Sequence, residues 1–326
     1  MGMIAGIDIG GTKCAVLLGE QRLDDLTIIE RVEFPTPSTP QLAIGAFIET
    51  LRELCHKHHI SAPDAIGISC GGPLDSRRGI ILSPPNLIGW DEVHITDEIT
   101  AALGAPTYLC NDADAGALAE WTFGAGRGCE HMVFITFGTG LGAGLILGGR
   151  LHTGASNFAG EIGHIRLDRH GPVGYGKSGS AEGFCSGNGI AQLTRTRVLE
   201  QLQSGKQVAW ATTAADAERI TAKDVGLAAA SGDRLALDIF AEVGEQFGRT
   251  LAILVDVLNP ELVVAGGVYM RAHQFIDDAM WATLRREALP GAADALRVLP
   301  SALGERIGDY AALTVAINGL NHRVNQ

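Results

Sequence analysis

Apolar positions recur along this chain in two rhythms. Met3–Ile9 is an apolar run interrupted by Asp8, the turn Gly10-Gly11-Thr12-Lys13 follows, and Cys14–Leu18 is apolar again. Short apolar runs bounded by glycine predict two strands of a hairpin, and Thr27–Phe34 predicts a third strand. In Gln41–His59 the residues Ala43, Phe47, Ile48, Leu51 and Leu54 return at helical spacing. Short strands at Ala65–Ser69 and Gly79–Leu82, a helix over Thr96–Leu103, a strand at Tyr108–Cys110 and a helix over Ala113–Phe123 complete this half.

The pattern then begins again. Met132–Phe137 is apolar, Gly138-Thr139-Gly140 turns the chain, and Ala143–Leu147 returns. Helices are expected over Ile190–Leu202, Leu235–Leu258 and Gln274–Glu287, a strand at Leu262–Ala265, and a last helix near Asp309–Asn318. Strands alternating with helices predict an α/β chain. The repeated unit of strand, glycine turn and strand predicts two related α/β domains facing a central cleft. A length of 326 residues fits that number.

Charge removes several functions. Lys+Arg number 25 and Asp+Glu 37, a net charge of −12, and no basic run exceeds Arg77-Arg78 or Arg285-Arg286. Affinity for nucleic acid rests on phosphate contacts from a basic face, so no nucleic-acid partner is expected. No apolar run reaches transmembrane length, and the N-terminus, with Asp8 and a glycine turn, is unlike a signal peptide. No membrane partner is expected. Six cysteines (Cys14, Cys55, Cys70, Cys110, Cys129, Cys185) form no C-x-x-C pair, and several lie in apolar strand-like runs. Reduced thiols in a cytoplasmic protein account for them. Cys55-His56-Lys57-His58-His59 reads as the polar last turn of a helix rather than a metal site.

Glycine is in excess: 43 residues, of which 19 lie between Gly124 and Gly189. Glycine costs entropy on folding, so a cluster marks backbone that turns sharply or lies against a ligand. A run of tight turns would also explain many of them. Two familiar motifs fail on context. Gly67-Ile68-Ser69-Cys70-Gly71 matches a hydrolase nucleophile elbow, which needs a helix after the serine, whereas Gly72-Pro73-Leu74-Asp75 follows. Gly138-Thr139-Gly140-Leu141-Gly142-Ala143 matches a dinucleotide fingerprint, which needs a helix starting at the turn, whereas Gly144–Gly149 reads as strand. A Walker A sequence is absent. There remain two glycine hairpins. Backbone amides of such turns can cradle phosphate oxygens, Thr12 and Thr139 add hydroxyl donors, and Lys13 adds a positive charge. Two of them could grip one nucleotide.

These residues together resemble the ROK family of sugar kinases and repressors, within the actin/hexokinase (ribonuclease H-like) superfold. The resemblance spans essentially the whole chain. It is carried by Asp8-Ile9-Gly10-Gly11-Thr12-Lys13, Gly71-Gly72-Pro73, Asn111-Asp112-Ala113-Asp114-Ala115, Phe137-Gly138-Thr139-Gly140-Leu141-Gly142, Gly160-Glu161-Ile162-Gly163-His164 and Ala265-Gly266-Gly267. It implies a small domain of residues 1–113 completed by a C-terminal helix over 306–322, and a large domain of 114–305.

The resemblance also implies ATP-dependent phosphorylation of a hexose, most simply glucose to glucose 6-phosphate. Fructose, an N-acetylhexosamine, allose or a β-glucoside are alternatives. Asp112 is the implied catalytic base, and its place between a strand and a helix N-terminus suits an ionised carboxylate. Asp114 is the nearby rival, otherwise a residue solvating the first helical turn. Asn111, Glu161, His164 and Glu182 match sugar-binding positions, joined by Asn86 and by Gly72 in a turn beside the sugar. Asp8 corresponds to the residue near Mg2+, acting through water, and Gly266 and Gly267 would lie against adenosine. Gly10, Gly11, Thr12, Lys13, Gly138, Thr139 and Gly140 complete the nucleotide contacts.

Many relatives hold a structural zinc with a histidine and three cysteines after the Gly-Glu-Ile-Gly-His segment. Here Val173, Tyr175 and Ser180 fall where those cysteines would be, so no zinc site is expected and the loop must be ordered by packing or by substrate. Two further functions are implied by the family: a sugar-responsive repressor and a sugar-binding module without catalysis. A repressor carries a helix-turn-helix segment before the first hairpin, where only Met1–Ala5 precede Gly6 here, and both glycine hairpins with Asp112 speak for catalysis. A homodimer is a family-level expectation.

Overall fold

The apolar rhythm of the first 111 residues builds one mixed sheet. In a computed structural model, which describes residues 2–23 and 25–324, the order is β1 (Gly2–Ile9), β2 (Lys13–Arg22), β3 (Asp25–Pro35), α1 (Pro40–Lys57), β4 (Ala65–Cys70), β5 (Leu74–Asp75), β6 (Ile80–Ile81), α2 (Ile95–Leu103), β7 (Thr107–Asn111) and α3 (Asp112–Phe123). There follow β8 (Met132–Phe137), β9 (Leu141–Ile146), β10 (Val173–Gly174), β11 (Lys177–Ser178), α4 (Ala181–Phe184), α5 (Gly187–Gln203), α6 (Ala214–Glu218) and α7 (Ala222–Ala230). The chain ends with α8 (Arg234–Leu258), β12 (Leu262–Ala265), α9 (Gly267–Glu287), α10 (Pro290–Ala295), β13 (Arg297–Pro300) and α11 (Ile307–Val324). No helix among the described residues is long and apolar enough to cross a membrane.

The chain divides into two units. The first holds Met1–Glu130, Gly144–Ala159 and Ser301–Gln326, and the second His131–Ala143 and Gly160–Pro300. In the first, the sheet order is β3-β2-β1-β4-β7, with β1, β2 and β3 antiparallel and β4 and β7 parallel to β1. Every residue of β4 is buried, because helices cover both faces. Phe47 and Leu51 of α1 join a core with Ile66, Ile68 and Trp90, while Ala312, Leu313 and Ala316 of α11 pack with Leu17. Gly67 permits the close approach of α11, since a Cβ there would stand 2.1 Å from the Ala312 carbonyl oxygen.

The first unit runs past residue 113, where a boundary was expected. α3 packs along α11, and its fully buried Glu120 accepts from Ser301 Oγ at 2.5 Å, Leu303 N at 3.0 Å and Ala125 N at 2.8 Å. Those bonds hold the segment after α3 and the return at Ser301 in one body.

The second unit's sheet runs β13-β12-β8-β9, with β8, β12 and β13 parallel. This repeats the β7-β4-β1-β2 order of the first sheet, so the duplicated hairpin marks a duplicated topology. α8 and α9 lie close together because Gly244 and Gly248, one turn apart on α8, face the carbonyls of Ile276 and Met280. The expected helix at Gln274 in fact starts at Gly267. Tyr269, Ala272, Ile276, Met280 and Leu284 form its buried stripe, and Gly266 supplies an extended cap.

Candidate active site

The expected site residues gather as two groups, one in each unit. In the first, the β1–β2 turn closes through Gly10 N to Lys13 O at 3.1 Å, and Thr36 Oγ1 donates to Gly10 O at 2.6 Å. Gly11, Thr12 and Lys13 are exposed at the tip. Gly11 rests against the expected sugar loop, since a Cβ there would come within 2.8 Å of Asn86 Cβ and O. The Lys13 amine extends to Glu33 at 2.9 Å, and Arg31 bonds the same carboxylate. Its charge is therefore directed along β3.

Asn111 and Asp112 stand where β7 becomes α3. Asn111 is the N-cap, its Oδ1 accepting from Ala113 N at 3.0 Å, and Asp112 Oδ1 shares that amide at 2.8 Å. Gly72, beside the cis Gly72-Pro73 bond, lies against Asn111 Nδ2. Asp112 remains reachable by solvent yet is crowded by protein. That crowding pushes its carboxyl up from the ordinary range, while the amides of Ala113 and of Asp112 itself pull it down. Asp114 differs from the expectation of a solvated first-turn carboxylate: it is buried, 5% exposed.

Asp8, half-buried at the end of β1, is pushed up to about 6 by burial first and then by Asp112 and Asp309, with Arg31 and Lys13 opposing. Asp309 begins α11 and accepts from Arg31 Nε at 2.8 Å; its neighbour Gly308 leaves room for the Asp8 carboxylate. Asp309 is not among the residues expected from the sequence. A signal was present in the Gly-Asp pair opening a helix, but nothing local says that it folds back onto β1. Three carboxylates in one neighbourhood suit a hydrated divalent cation, which keeps several waters and needs few direct ligands. Among the described residues no three His, Cys, Asp or Glu side chains converge on a point that could hold a metal ion.

In the second unit, Gly138 N donates to Gly140 O at 3.0 Å, and Gly187 N donates to Gly138 O at 2.7 Å. Glu182 Oε2 accepts from Leu141 N at 3.1 Å. Gly267 opens α9 with φ +59°, and a Cβ there would stand 2.1 Å from Phe137 O, so the Gly266-Gly267 step touches the turn. Glu161 and His164 flank a short 3-10 turn, Ile162–His164, and both are exposed. A cavity of about 330 Å3 in this unit is lined by Thr139, Tyr175, Glu182, Asn188, Gln192 and Arg195 among others, and by neither Glu161 nor His164.

The loop where relatives would place zinc is held by its own contacts. Tyr175 packs its ring on His164 at 5.5 Å, Ser180 caps α4, and Gln192 bonds Val173 through both N and O. Lys177 donates to His164 O at 2.6 Å and Arg166 to Ser178 O at 2.7 Å. Valine, tyrosine and serine do not supply thiolates, so this set does not fit a tetrahedral zinc. Several glycines of this loop serve the packing: Gly171 lies under Phe184, and Gly183 under the Pro172 carbonyl.

The rejected motifs are explained as well. Ser69 is 2% exposed within the interior strand β4, and the Gly138–Ala143 segment runs into a strand rather than a helix. All six cysteines are buried and free. Lys57 and His58 pair with Glu30, which accounts for the basic end of α1.

Comparison with known proteins finds relatives over the whole chain. The sequence profile of the ROK family matches residues 4–317. A glucokinase of Halalkalibacterium halodurans is 34% identical over 319 residues, 93% of this chain and 91% of its own. The crystal structure of a ROK glucokinase from Streptomyces griseus, in complex with glucose and AMPPNP, superposes with a TM-score of 0.78 at 29% identity, covering 98% of this chain and 100% of that one. The Escherichia coli transcriptional repressor Mlc is 30% identical over 72% of this chain, but only 56% of its own length.

Proposed function

The chain belongs to the ROK family and is a sugar kinase; from that premise we propose that it transfers the γ-phosphoryl group of ATP to the 6-hydroxyl of glucose, with Asp112 as general base. The observation that carries this reading is the placement of Asp112. Its carboxylate is solvent-reachable at the mouth of α3, fixed by the Ala113 amide, and stands among Asn111, Gly72 and Asp8. A carboxyl raised above its ordinary range is a better base near neutral pH than an unperturbed one.

In this reading Asp112 accepts the proton of the 6-hydroxyl as that oxygen attacks the γ-phosphorus. Asn111, Asn86 and the Gly72 turn orient the sugar in the first unit. Glu161, His164 and Glu182 are the remaining candidates for contacts with sugar hydroxyls. The two glycine turns present amides to phosphate oxygens, with Thr12 and Thr139 as additional donors. Bound Mg2+, held through water near Asp8, would supply charge neutralisation of the β- and γ-phosphates. Positioning and electrostatics carry most of the rate in phosphoryl transfer, so pre-set turns matter more than a single side chain. The similarity to glucokinases supports glucose over fructose, N-acetylhexosamines, allose or β-glucosides. The test is ADP release with each of these sugars in turn: glucose should give the highest kcat/KM, and a higher value for another sugar overturns the assignment.

A further inference from the structure

Glu182 lies where three separate segments of the second unit meet. Its Cβ faces Gly163 of the 3-10 turn and Gly174 of β10, at 3.2 and 2.7 Å from where their own Cβ atoms would stand. Its Oε2 sits 2.7 Å from the corresponding point on Gly140 and accepts the Leu141 amide at 3.1 Å. A few residues on, Gly187 N holds the other end of the same turn through Gly138 O at 2.7 Å. One short stretch, from Glu182 to Gly187, thus grips the phosphate-type turn on both sides.

We infer that Glu182 is a positioning residue for the nucleotide: it fixes the Gly138–Leu141 turn, and a sugar hydroxyl bound to the same carboxylate tightens that hold. This rests on the reading of Glu182 as a sugar contact. A carboxylate is planar and rigid, so fixing one oxygen fixes the other. Oε2 serves the Leu141 amide, and Oε1 is the oxygen that can accept from a sugar. Binding of sugar then lowers the freedom of the side chain that holds the turn, and a nucleotide meeting an ordered turn loses less entropy on binding. Coupling of this kind is reciprocal, so nucleotide must tighten sugar by the same factor.

The experiment is equilibrium binding of Mg-AMPPNP, with and without saturating 6-deoxyglucose, which lacks the acceptor hydroxyl. In the unmodified protein the sugar should tighten nucleotide several-fold. Glu182→Ala should weaken nucleotide about tenfold without sugar, the scale of one charge-assisted hydrogen bond, and abolish the coupling. Glu182→Gln keeps an acceptor for Leu141 and should bind nucleotide within about twofold of the unmodified protein. Glu182→Asp, one methylene too short to reach, should behave as the alanine variant. This split between Gln and Asp is not expected of a merely structural residue, and it decides the matter if Glu182→Ala fails to fold. Unchanged nucleotide affinity in Glu182→Asp, with sugar phosphorylation intact in the unmodified protein, overturns the inference. Weakened nucleotide with no phosphorylation of any hexose by the unmodified protein would instead sink the sugar reading and leave the clamp standing.

Discussion

Two glycines beside the second turn should respond in opposite ways to one added methyl group. Gly267 has φ +59°, and its new Cβ would stand 2.1 Å from the Phe137 carbonyl oxygen, a backbone atom that cannot step aside. The left-handed backbone alone costs an L-residue about 1–2 kcal/mol, and overpacking adds about 1–3 kcal/mol. Gly267→Ala should therefore lose about 2–5 kcal/mol of stability. Gly140 is not in the left-handed region, and its Cβ would meet only the Glu182 carboxylate, at 2.7 Å. That side chain can swing into solvent, so Gly140→Ala should cost about 1 kcal/mol or less. What it loses is the hold on Leu141, and nucleotide affinity should fall about tenfold. Thermal melting and nucleotide titration of both variants separate the effects, at about 2–4 °C per kcal/mol. The reasoning fails if Gly140→Ala melts as low as Gly267→Ala, or if it binds nucleotide as tightly as the unmodified protein.

Three further outcomes follow from other parts of the molecule. Glu120→Gln keeps one acceptor oxygen but turns an amide donor toward either the Ala125 N–H or the Leu303 N–H and Ser301 hydroxyl, and should cost about 1–3 kcal/mol in a denaturant melt; a loss below about 0.5 kcal/mol would contradict the buried network. The Asp112 carboxyl is raised, and a base acts only when ionised, so kcat/KM should be level at neutral pH and fall as pH drops through a midpoint above 3.8. A midpoint at or below that ordinary value would remove Asp112 from the base role. Treatment with a zinc chelator, followed by assay in excess Mg2+, should leave activity and melting temperature unchanged, because Tyr175, Gln192 and Lys177 hold the loop; one tightly bound zinc per chain would refute this.

Much of the architecture is legible because it is locally encoded. The strand, glycine turn and strand units at Gly10 and Gly138 declare themselves by apolar runs on each side, and the helices α1 and α8 by their spacing. The start of α9 is misplaced by seven residues because a glycine pair normally reads as a break, whereas here it is the helix cap pressed against Phe137. The helices α6 and α7 pass unnoticed in a polar stretch, although Thr213 with Asp216 and Thr221 with Asp224 form two capping boxes that could have shown them. The edge strand β13 is short and only half-buried, so it lacks a clear pattern. For the site, motif residues are visible in the sequence, but their partners are not. Asp309 reaches the Asp8 neighbourhood through the C-terminal helix, and Glu182 reaches Leu141 across the turn, by contacts that no spacing rule describes.

The central claim is that Asp112 removes the proton from a hexose hydroxyl as ATP gives up its γ-phosphoryl group. Asp112→Asn keeps the shape of the side chain and its acceptor toward Ala113, so glucose binding, followed by calorimetry, should stay within a few-fold of the unmodified protein. Its turnover, read as ADP released with glucose 6-phosphate formed, should fall by ~10²–10⁴-fold. Near-normal turnover in that variant would contradict the account.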